Sequence, residues 1–296
     1  MSKENTAVTK KKIKRCKEDV VFDAACFIIL TLVLFVVAYP LYWVIISSIS
    51  APSAVSSGKV LLHPIGFTLK GYAEVFKNDQ VMRGFLNSLI ITFCGVMVNL
   101  IVTLPTSYAL SRSNFSGKKP ITIFYLITMF FGGGLIPTYL VIQRLQMLNT
   151  IWALILPGCL SVYNMIVART FFKSNISEEL YEAAEIDGCT QARFFFQIAL
   201  PLSKAIIAIL VLYYGVGHWN SYFSALVYIS DKAKYPLQLV LRNILITNQT
   251  ALSQTATTAA ARAALQEKQQ LIDVMKYSLI IISSIPVLVM YPLVQK

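Results

Sequence analysis

The most distinctive pattern of residue types in this sequence is a short acidic segment followed by an apolar one. It reads Glu182, Ala183, Ala184, Glu185, Ile186, Asp187 and Gly188, and after nine further residues Ile198, Ala199, Leu200 and Pro201. Ser177 or Asn175 can cap a helix here, and acids in a first turn favour helix formation. A glycine permits a sharp turn and a proline ends a helix. The pattern predicts a rigid helix–turn–helix, and an ordinary amphipathic loop is the alternative.

Motifs for catalysis are missing from the sequence. Ser116, Gly117, Lys118 and Lys119 lack the first glycine and the final hydroxyl of a phosphate-binding GxxxxGK[ST] loop. HExxH and GxSxG do not occur either. The cysteines are far apart and form no CxxC, which argues against a zinc site or a disulfide framework; they are Cys16, Cys26, Cys94, Cys159 and Cys189. We therefore expect no enzyme activity, no cofactor and no metal in this chain.

The composition is that of a membrane protein. Of the 296 residues, 56% are hydrophobic and only 14% are charged, whereas soluble domains carry about 25% charged residues. A membrane-spanning helix needs about 20 mostly apolar residues, and each span must be helical to satisfy its backbone in lipid. Six segments qualify, at about 22–48, 84–110, 121–142, 151–172, 204–229 and 271–294. The sequence thus predicts an all-α membrane protein, with a basic tail over 1–21 and a six-span domain over 22–296.

Positive charge predicts the orientation of these spans. The tail carries Lys3, Lys10, Lys11, Lys12, Lys14, Arg15 and Lys17. The loop 111–120 carries Arg112, Lys118 and Lys119 without an acid. Because Lys and Arg favour the cytoplasmic side, we expect both termini, loop 111–120 and loop 173–203 to be cytoplasmic. Segments 49–83, 143–150 and 230–270 then face outward, although five basic residues in 230–270 run against the rule. A surface helix is expected over 251–270.

The net charge of +12 follows mostly from these loops beside the membrane, so lipid and not nucleic acid is the expected partner. Proton- or sodium-coupled transporters bury ionisable residues within their spans. The predicted spans have almost none at depth, and His218 is interpreted as a packing residue. If this protein transports actively, its energy comes from a partner chain.

A polar stripe follows one face of the second predicted span. Its residues are Ser88, Thr92, Asn99, Thr103 and Thr106, spaced by 4, 7, 4 and 3 positions. At about 100° per residue they share one side of a helix. Asn164, Tyr213, Trp219 and Asn220 add polar and aromatic groups on later spans. Such groups suit the hydroxyls and apolar faces of sugars, so we predict a substrate pathway. Interhelical hydrogen bonds that only pack the spans are the alternative.

The acidic segment and its spacing resemble the EAA loop of bacterial ABC importer permeases. Three further stretches, at 87–89, 107–112 and 219–223, are similar to the carbohydrate (maltose-type) class. The stretch Gly133–Tyr139 resembles the branch that imports complex or lipo-oligosaccharides. Cys189 departs from the Ala that is usual in this family. Relatives often continue beyond the position of Lys296 with a short tail, so any contact of that tail is not expected here.

The resemblance implies a six-span type I importer permease in the bacterial inner or plasma membrane. Its loop 173–203 would couple to ATPases through Glu182, Ala183, Ala184, Asp187, Gly188, Ile198, Leu200 and Pro201. The implied partners are a second similar permease, two ATPase subunits that bind ATP and Mg, an extracellular solute-binding protein and an oligosaccharide. A permease for a non-sugar solute, or a membrane scaffold or enzyme subunit, is the alternative.

Overall fold

The computed structural model of the chain describes residues 17–251 and 259–295, and all regular structure within these ranges is helical. The α-helices of the first half are α1 (Lys17–Ser48), α2 (Pro52–Ser56), α3 (Lys70–Lys77), α4 (Asp79–Ser111), α5 (Lys118–Phe130) and α6 (Leu135–Arg144). Those of the second half are α7 (Trp152–Ile155), α8 (Val162–Asn175), α9 (Glu178–Ile186), α10 (Gln191–Phe194), α11 (Leu200–Leu202), α12 (Lys204–Trp219), α13 (Tyr222–Tyr228), α14 (Leu237–Ala251) and α15 (Ala259–Gln295). An all-α fold is therefore confirmed.

Three helices are long and apolar enough to cross a membrane as single rods. They are α1, α4 and the part of α15 from Gln269 to Pro292. At a rise of 1.5 Å per residue, the 33 residues of α4 extend about 50 Å. The predicted surface helix over 251–270 differs in part, because residues from Ala259 onward belong to α15. Residues 252–258 and the tail residues 1–16 lie outside the described ranges.

Three further spans are possible only as bent pairs of helices. Helices α5 and α6 meet at 113°, the helical segment Trp152–Gly158 meets α8 at 52°, and Gln191–Leu202 meets α12 at 80°. The sequence predicts one helix over 121–142, but the chain leaves α-helical geometry between α5 and α6. This gap contains Gly132, Gly133 and Gly134, and Gly134 has φ +85°. The described residues thus contain up to six spans if each bent pair counts as one.

Helix α4 lies at the centre of the fold and packs against α8, α12 and α14. One core joins Leu104 and Tyr108 of α4 to Phe172 of α8 and Leu210 of α12. Helix α1, in contrast, is exposed along most of its length and becomes buried at Ile46, Ser47 and Ser48. The apolar surface of α1 is therefore free to contact lipid or another membrane subunit.

Candidate coupling site and polar helix contacts

Helix α9 carries the acidic motif and has hydrogen-bonded contacts at both ends. The Ser177 Oγ accepts a hydrogen bond from the backbone N–H of Leu180 at 3.3 Å, so Ser177 is the N-cap. At the other end, the Gly188 N–H donates to the Glu185 carbonyl at 2.9 Å. The Cys189 N–H donates to the Ala184 carbonyl, also at 2.9 Å. These contacts fix the turn that follows the helix.

Gly188 occupies the left-handed region of backbone space, with φ +75°. A Cβ added to Gly188 would meet no atom of this chain within 4 Å. The glycine is therefore required by backbone conformation and not by lack of space. A residue with a β-carbon is strained at such a φ, and a β-branched one most of all.

The second short helix begins at Thr190, whose Oγ1 accepts from the Arg193 N–H at 3.3 Å. It continues through a π-helical turn over Phe195–Ala199 into α11. Pro201 lies in α11, close to the end of this helical run. The chain changes direction at Ser203, between Pro201, which we expect to end the second short helix, and the predicted start of the fifth span at 204.

Aromatic side chains fasten the two short helices to the membrane helices. Tyr181 and Phe194 are buried, with ring centroids 5.2 Å apart. The Tyr108 ring of α4 lies 5.0 Å from Phe195 and 5.7 Å from Phe172 of α8. A force on the short helices would therefore reach α4 and α8 through packed rings instead of a flexible linker.

The outer surface of the turn combines carboxylates with one large apolar side chain. Of the predicted coupling residues, Glu182, Ala183, Asp187, Gly188 and Pro201 are exposed. Ala184, Ile198 and Leu200 are half-buried on the inner side. Ile186, which we did not predict, is 87% exposed. An isoleucine between Glu185 and Asp187 in a helix of otherwise polar outer face is the sequence signal that could have found it.

Arg112 connects the end of α4 to the start of α9, a contact that the sequence does not predict. Its Nη2 donates to the Ile176 carbonyl at 3.0 Å, and its Nη1 lies 3.7 Å from Oε2 of Glu178. The Ser113 N–H donates to Oε1 of Glu178 at 3.1 Å. The loop after α4 and the acidic helix are thereby held as one unit.

The polar stripe of α4 lies in contacts between helices. Ser88 Oγ accepts from the Leu237 N–H at 2.8 Å, and Thr103 Oγ1 lies 2.7 Å from the Tyr214 hydroxyl. The Thr92 hydroxyl is buried and has no hydrogen-bond partner among the described residues. Ser88, Asn99 and Thr103 are at most 1% exposed. In this conformation Ser88, Asn99 and Thr103 join helices, and contact of the stripe with a sugar stays a prediction.

Among the residues of the stripe, Asn99 makes the largest number of hydrogen bonds. Its Nδ2 donates to the carbonyls of Gly158 and Cys159 at 2.8 and 2.9 Å, and its Oδ1 lies 2.7 Å from Nε2 of His218. Gly95, one turn earlier, leaves room for the imidazole, since a Cβ there would lie 2.5 Å from Nε2. His218 is therefore held inside the helix bundle by hydrogen bonding and packing.

The remaining pathway candidates divide into buried and exposed residues. Asn164 is buried, and Trp219 is buried with its Nε1 donating to the Ser283 carbonyl at 2.9 Å. Tyr213 and Asn220 are exposed on the same side of α12, together with Gly217. The structure therefore does not bring all candidates to one surface. Tyr213 of α12 and Asn220, the residue that follows α12, are the two that remain accessible.

Known proteins resemble this chain over nearly its whole length, although no family model matches it. The chain is 34% identical to the polygalacturonan/rhamnogalacturonan transport system permease protein YtcP of Bacillus subtilis (strain 168), over 93% of this chain and 94% of that protein. It is 37% identical to protein LplC of the same organism, over 93% and 91%.

A solved structure is also similar. It is the crystal structure of a bacterial ABC transporter involved in the import of the acidic polysaccharide alginate, with a TM-score of 0.85, 27% identity, and coverage of 96% of this chain and 99% of the matched chain. ABC importer permeases are integral membrane subunits that work with ATPase and solute-binding partners. At these identities and coverages, the chain belongs to the family of permease subunits of carbohydrate ABC importers.

Proposed function

We propose that this chain moves an oligosaccharide into the cell by alternating access between outward- and inward-facing states. It pairs with a second, similar permease subunit and with two ATPase subunits, which bind the ATP and Mg that this chain does not. An extracellular solute-binding protein delivers the sugar to segments 49–83 and 230–270. Both termini lie in the cytoplasm of a bacterium, and the chain itself catalyses no reaction.

The observation that carries this proposal is the exposed turn around Gly188 on a rigid base. Glu182 and Asp187 offer carboxylates and Ile186 offers an apolar contact, all on the outer surface. Tyr181 and Phe194 bury the inner surface of the same two helices. A partner that binds this turn and rotates it would displace α4 and α8 together, because the closely packed aromatic rings do not let the short helices move separately from them.

Names of relatives support a carbohydrate chain as the substrate. Besides the polygalacturonan/rhamnogalacturonan permease, the galactooligosaccharides transport system permease protein GanQ of Bacillus subtilis (strain 168) is 29% identical over 81% of this chain. Tyr213 of α12 and Asn220 at its C-terminal end, both exposed, are the residues we propose to contact the sugar. The buried stripe residues then position the helices around it.

The coupling role of Gly188 predicts a specific mutational result. In vesicles that contain both permeases, the ATPases and the binding protein, Gly188→Val should reduce ATP-dependent oligosaccharide uptake by at least tenfold. A β-branched residue at φ +75° costs about 1–3 kcal/mol of strain and would tilt α10 away from its docked position. Uptake of labelled sugar and the amount of bound ATPase subunit are the two measurements.

Gly188→Asn is the matched control, because asparagine tolerates positive φ far better than valine. It should keep most of the uptake and of the ATPase binding. If Gly188→Val kept wild-type uptake and wild-type ATPase binding, the proposal that this loop is the coupling element would be wrong. Uptake that proceeds equally well without ATP would overturn the importer assignment itself.

A further inference from the structure

A cavity of about 570 Å³ lies at the N-terminal end of α4, between this helix, α14, α15 and a short 3₁₀ helix at Lys232–Lys234. Its walls combine aromatic and apolar side chains with polar ones. The aromatic and apolar ones are Tyr235, Val240, Ile244, Ile272 and Met275. The polar ones are Asn78, Gln80, Lys232 and Asn243. Cavities that bind small molecules have this size and combine an apolar lining with a few polar groups.

The polar side chains of the cavity are available to a ligand. Gln80 and Lys232 are exposed, so the cavity can be reached from solvent. Asn78 uses its Oδ1 to accept from the Gln80 and Val81 N–H groups at 3.0 and 3.3 Å, and its Nδ2 remains as a donor. The side chains of Gln80, Lys232 and Asn243 make no hydrogen bond or ion pair with another described residue. The cavity therefore offers amide groups and one ammonium group to a molecule that enters it.

Local hydrogen bonds fix the backbone that carries Lys232. The Asp231 carboxylate accepts from the Ala233 N–H at 2.9 Å and thereby caps the 3₁₀ helix. Asn87 of α4 donates through Nδ2 to the carbonyls of Ala233 and Tyr235 at 2.8 and 3.0 Å. The segment that contains Lys232 is thus attached to α4, beside the amides of the cavity.

The charge of the described lining is positive. Lys232 is the charged residue among the described residues that line the cavity, and the neighbouring acids Asp79 and Asp231 are not among them. A carboxylate in the cavity would meet an ammonium donor together with amide donors. Hydrogen bonds that involve a charged group are roughly twice as strong as neutral ones. The lining therefore favours an anionic ligand over a neutral one.

Basic residues are also in excess in the segments that are proposed to face outward. Segment 230–270 contains five basic and two acidic residues, and segment 49–83 contains four and two. Lys and Arg beside membrane spans are normally concentrated on the cytoplasmic side, so membrane topology does not account for this excess. A positive surface raises the local concentration and the association rate of an anionic substrate. The distribution of charge thus independently favours an anionic ligand on this side.

We propose that this cavity binds a uronic-acid residue of an acidic oligosaccharide on the outer side of the membrane. Lys232 Nζ donates to the carboxylate, and Met275 packs against the apolar face of the sugar ring. Hydrogen bonds to the sugar hydroxyls come from three amides, those of Asn78, Gln80 and Asn243. The inference rests on the proposed function for the orientation and for the oligosaccharide, and it narrows the substrate to chains that carry carboxylates.

Lys232→Gln tests the charged contact, because it removes the ammonium group from an exposed side chain. The purified importer complex in nanodiscs, without ATP and without the solute-binding protein, would be titrated in a calorimeter with trigalacturonate. A second titration would use neutral galactotriose, which carries a hydroxymethyl group in place of each carboxylate. We expect Lys232→Gln to weaken trigalacturonate binding about fivefold, the upper range for one exposed ion pair, and to leave galactotriose binding unchanged.

Two further variants separate the contributions of charge and of the amides. Lys59→Gln is the matched control, since Lys59 is exposed in segment 49–83 and does not line the cavity. It should bind both trisaccharides like wild type. Asn243→Ala should weaken the binding of both trisaccharides, because the amide that it removes is proposed to contact hydroxyls and not the carboxylate.

Equal affinity of the wild-type complex for the two trisaccharides would overturn the proposal, as would an unchanged trigalacturonate affinity in Lys232→Gln. An equal loss in Lys59→Gln would show that the charge of the whole outer surface, and not this cavity, attracts the sugar. If Lys232→Gln weakened only the binding of the solute-binding protein, the cavity would be a protein contact instead. ATP-driven uptake of both trisaccharides is measured separately in vesicles. Galactotriose uptake without trigalacturonate binding would contradict only this inference, whereas trigalacturonate binding without any ATP-driven uptake would contradict only the proposed function.

Discussion

Asn99 lies where three separate parts of the chain meet. Its amide donates to the carbonyls of Gly158 and Cys159, and its oxygen contacts His218 of α12. The two carbonyls belong to the bend before α8, where an interrupted helix leaves acceptors without intrahelical donors. The Asn99 side chain of α4 thus hydrogen-bonds the carbonyls at the interrupted helix and also contacts α12.

Replacing Asn99 with Leu should destabilise the protein instead of acting on substrate alone. The change leaves His218 and the partly buried carbonyls of Gly158 and Cys159 without their Asn99 partner, and each unsatisfied group costs up to about 1–3 kcal/mol. We expect a clear decrease in the melting temperature of the purified complex. Thermal unfolding and sugar uptake per folded complex are the measurements.

Thr92→Val is the control on the same helix, because it removes a buried hydroxyl that has no described hydrogen-bond partner. It should leave the melting temperature unchanged or raise it slightly. If Asn99→Leu instead melts like wild type and loses uptake, Asn99 belongs to the substrate pathway and not to the packing of the bend.

Residue spacing could predict that the polar stripe lies on one buried face of α4, but not which groups its side chains contact. Intervals of 4, 7, 4 and 3 place Ser88, Asn99 and Thr103 on one face, and all three are buried. Their partners lie 59 to 149 positions away, as for Asn99 with the Gly158 carbonyl and Ser88 with the Leu237 N–H. Only tertiary packing brings such positions together, so a sequence pattern of one helix cannot name them.

At the scale of helices, apolar composition predicts a span without predicting its path. Residues 121–142 are apolar enough for one helix, yet α5 and α6 cross at 113°. The reason is local, because Gly134 adopts φ +85° and ψ 172°, a conformation that essentially only glycine reaches. The acidic loop is the opposite case. Its turn depends on Gly188 and on local caps, so the motif alone predicts the helix–turn–helix. The contact of Arg112 with the start of α9 could not be predicted in this way, because only the fold brings these residues together.

The bend between α5 and α6 predicts different effects of two neighbouring glycines. Gly134→Ala should cost about 1–3 kcal/mol, because an alanine is strained at this φ and ψ. Gly133→Ala should be tolerated, since Gly133 does not have a positive φ and an added Cβ would meet nothing within 4 Å. Equal behaviour of the two variants would show that the bend does not depend on the Gly134 backbone.

Spin labels at Ile123 of α5 and Val141 of α6 give a direct measurement, because both residues are more than half exposed. The distance between the labels should increase or broaden in Gly134→Ala and stay at the wild-type value in Gly133→Ala. The melting temperature of each variant provides the accompanying stability measurement.

At the scale of the whole molecule, the two ends of α4 lie beside different segments of the chain. The segment 49–78 precedes α4, whereas Arg112 at its other end contacts α9 of the acidic loop. Near the first end, Tyr42 and Trp43 of α1 donate to the carbonyls of Leu62 and Val60 at 2.6 and 2.8 Å. The segment 49–78 is thereby fastened to α1, and the exposed apolar length of α1 is free to contact lipid or another membrane subunit.

This separation predicts opposite labelling of two introduced cysteines. In a variant whose five cysteines are replaced by serine, Ile186→Cys and Lys59→Cys are each treated with a membrane-impermeant thiol reagent. Both positions are exposed, with Ile186 on the acidic loop and Lys59 in the segment 49–78. Cys at 186 should react from the cytoplasmic side and Cys at 59 from the outer side. Bound ATPase subunits should protect position 186 by at least tenfold and leave position 59 unchanged, because we propose that the ATPase docks on the acidic loop. Labelling of both positions from one side would contradict the predicted orientation, whereas correct sidedness without protection would contradict the docking of the ATPase at this turn.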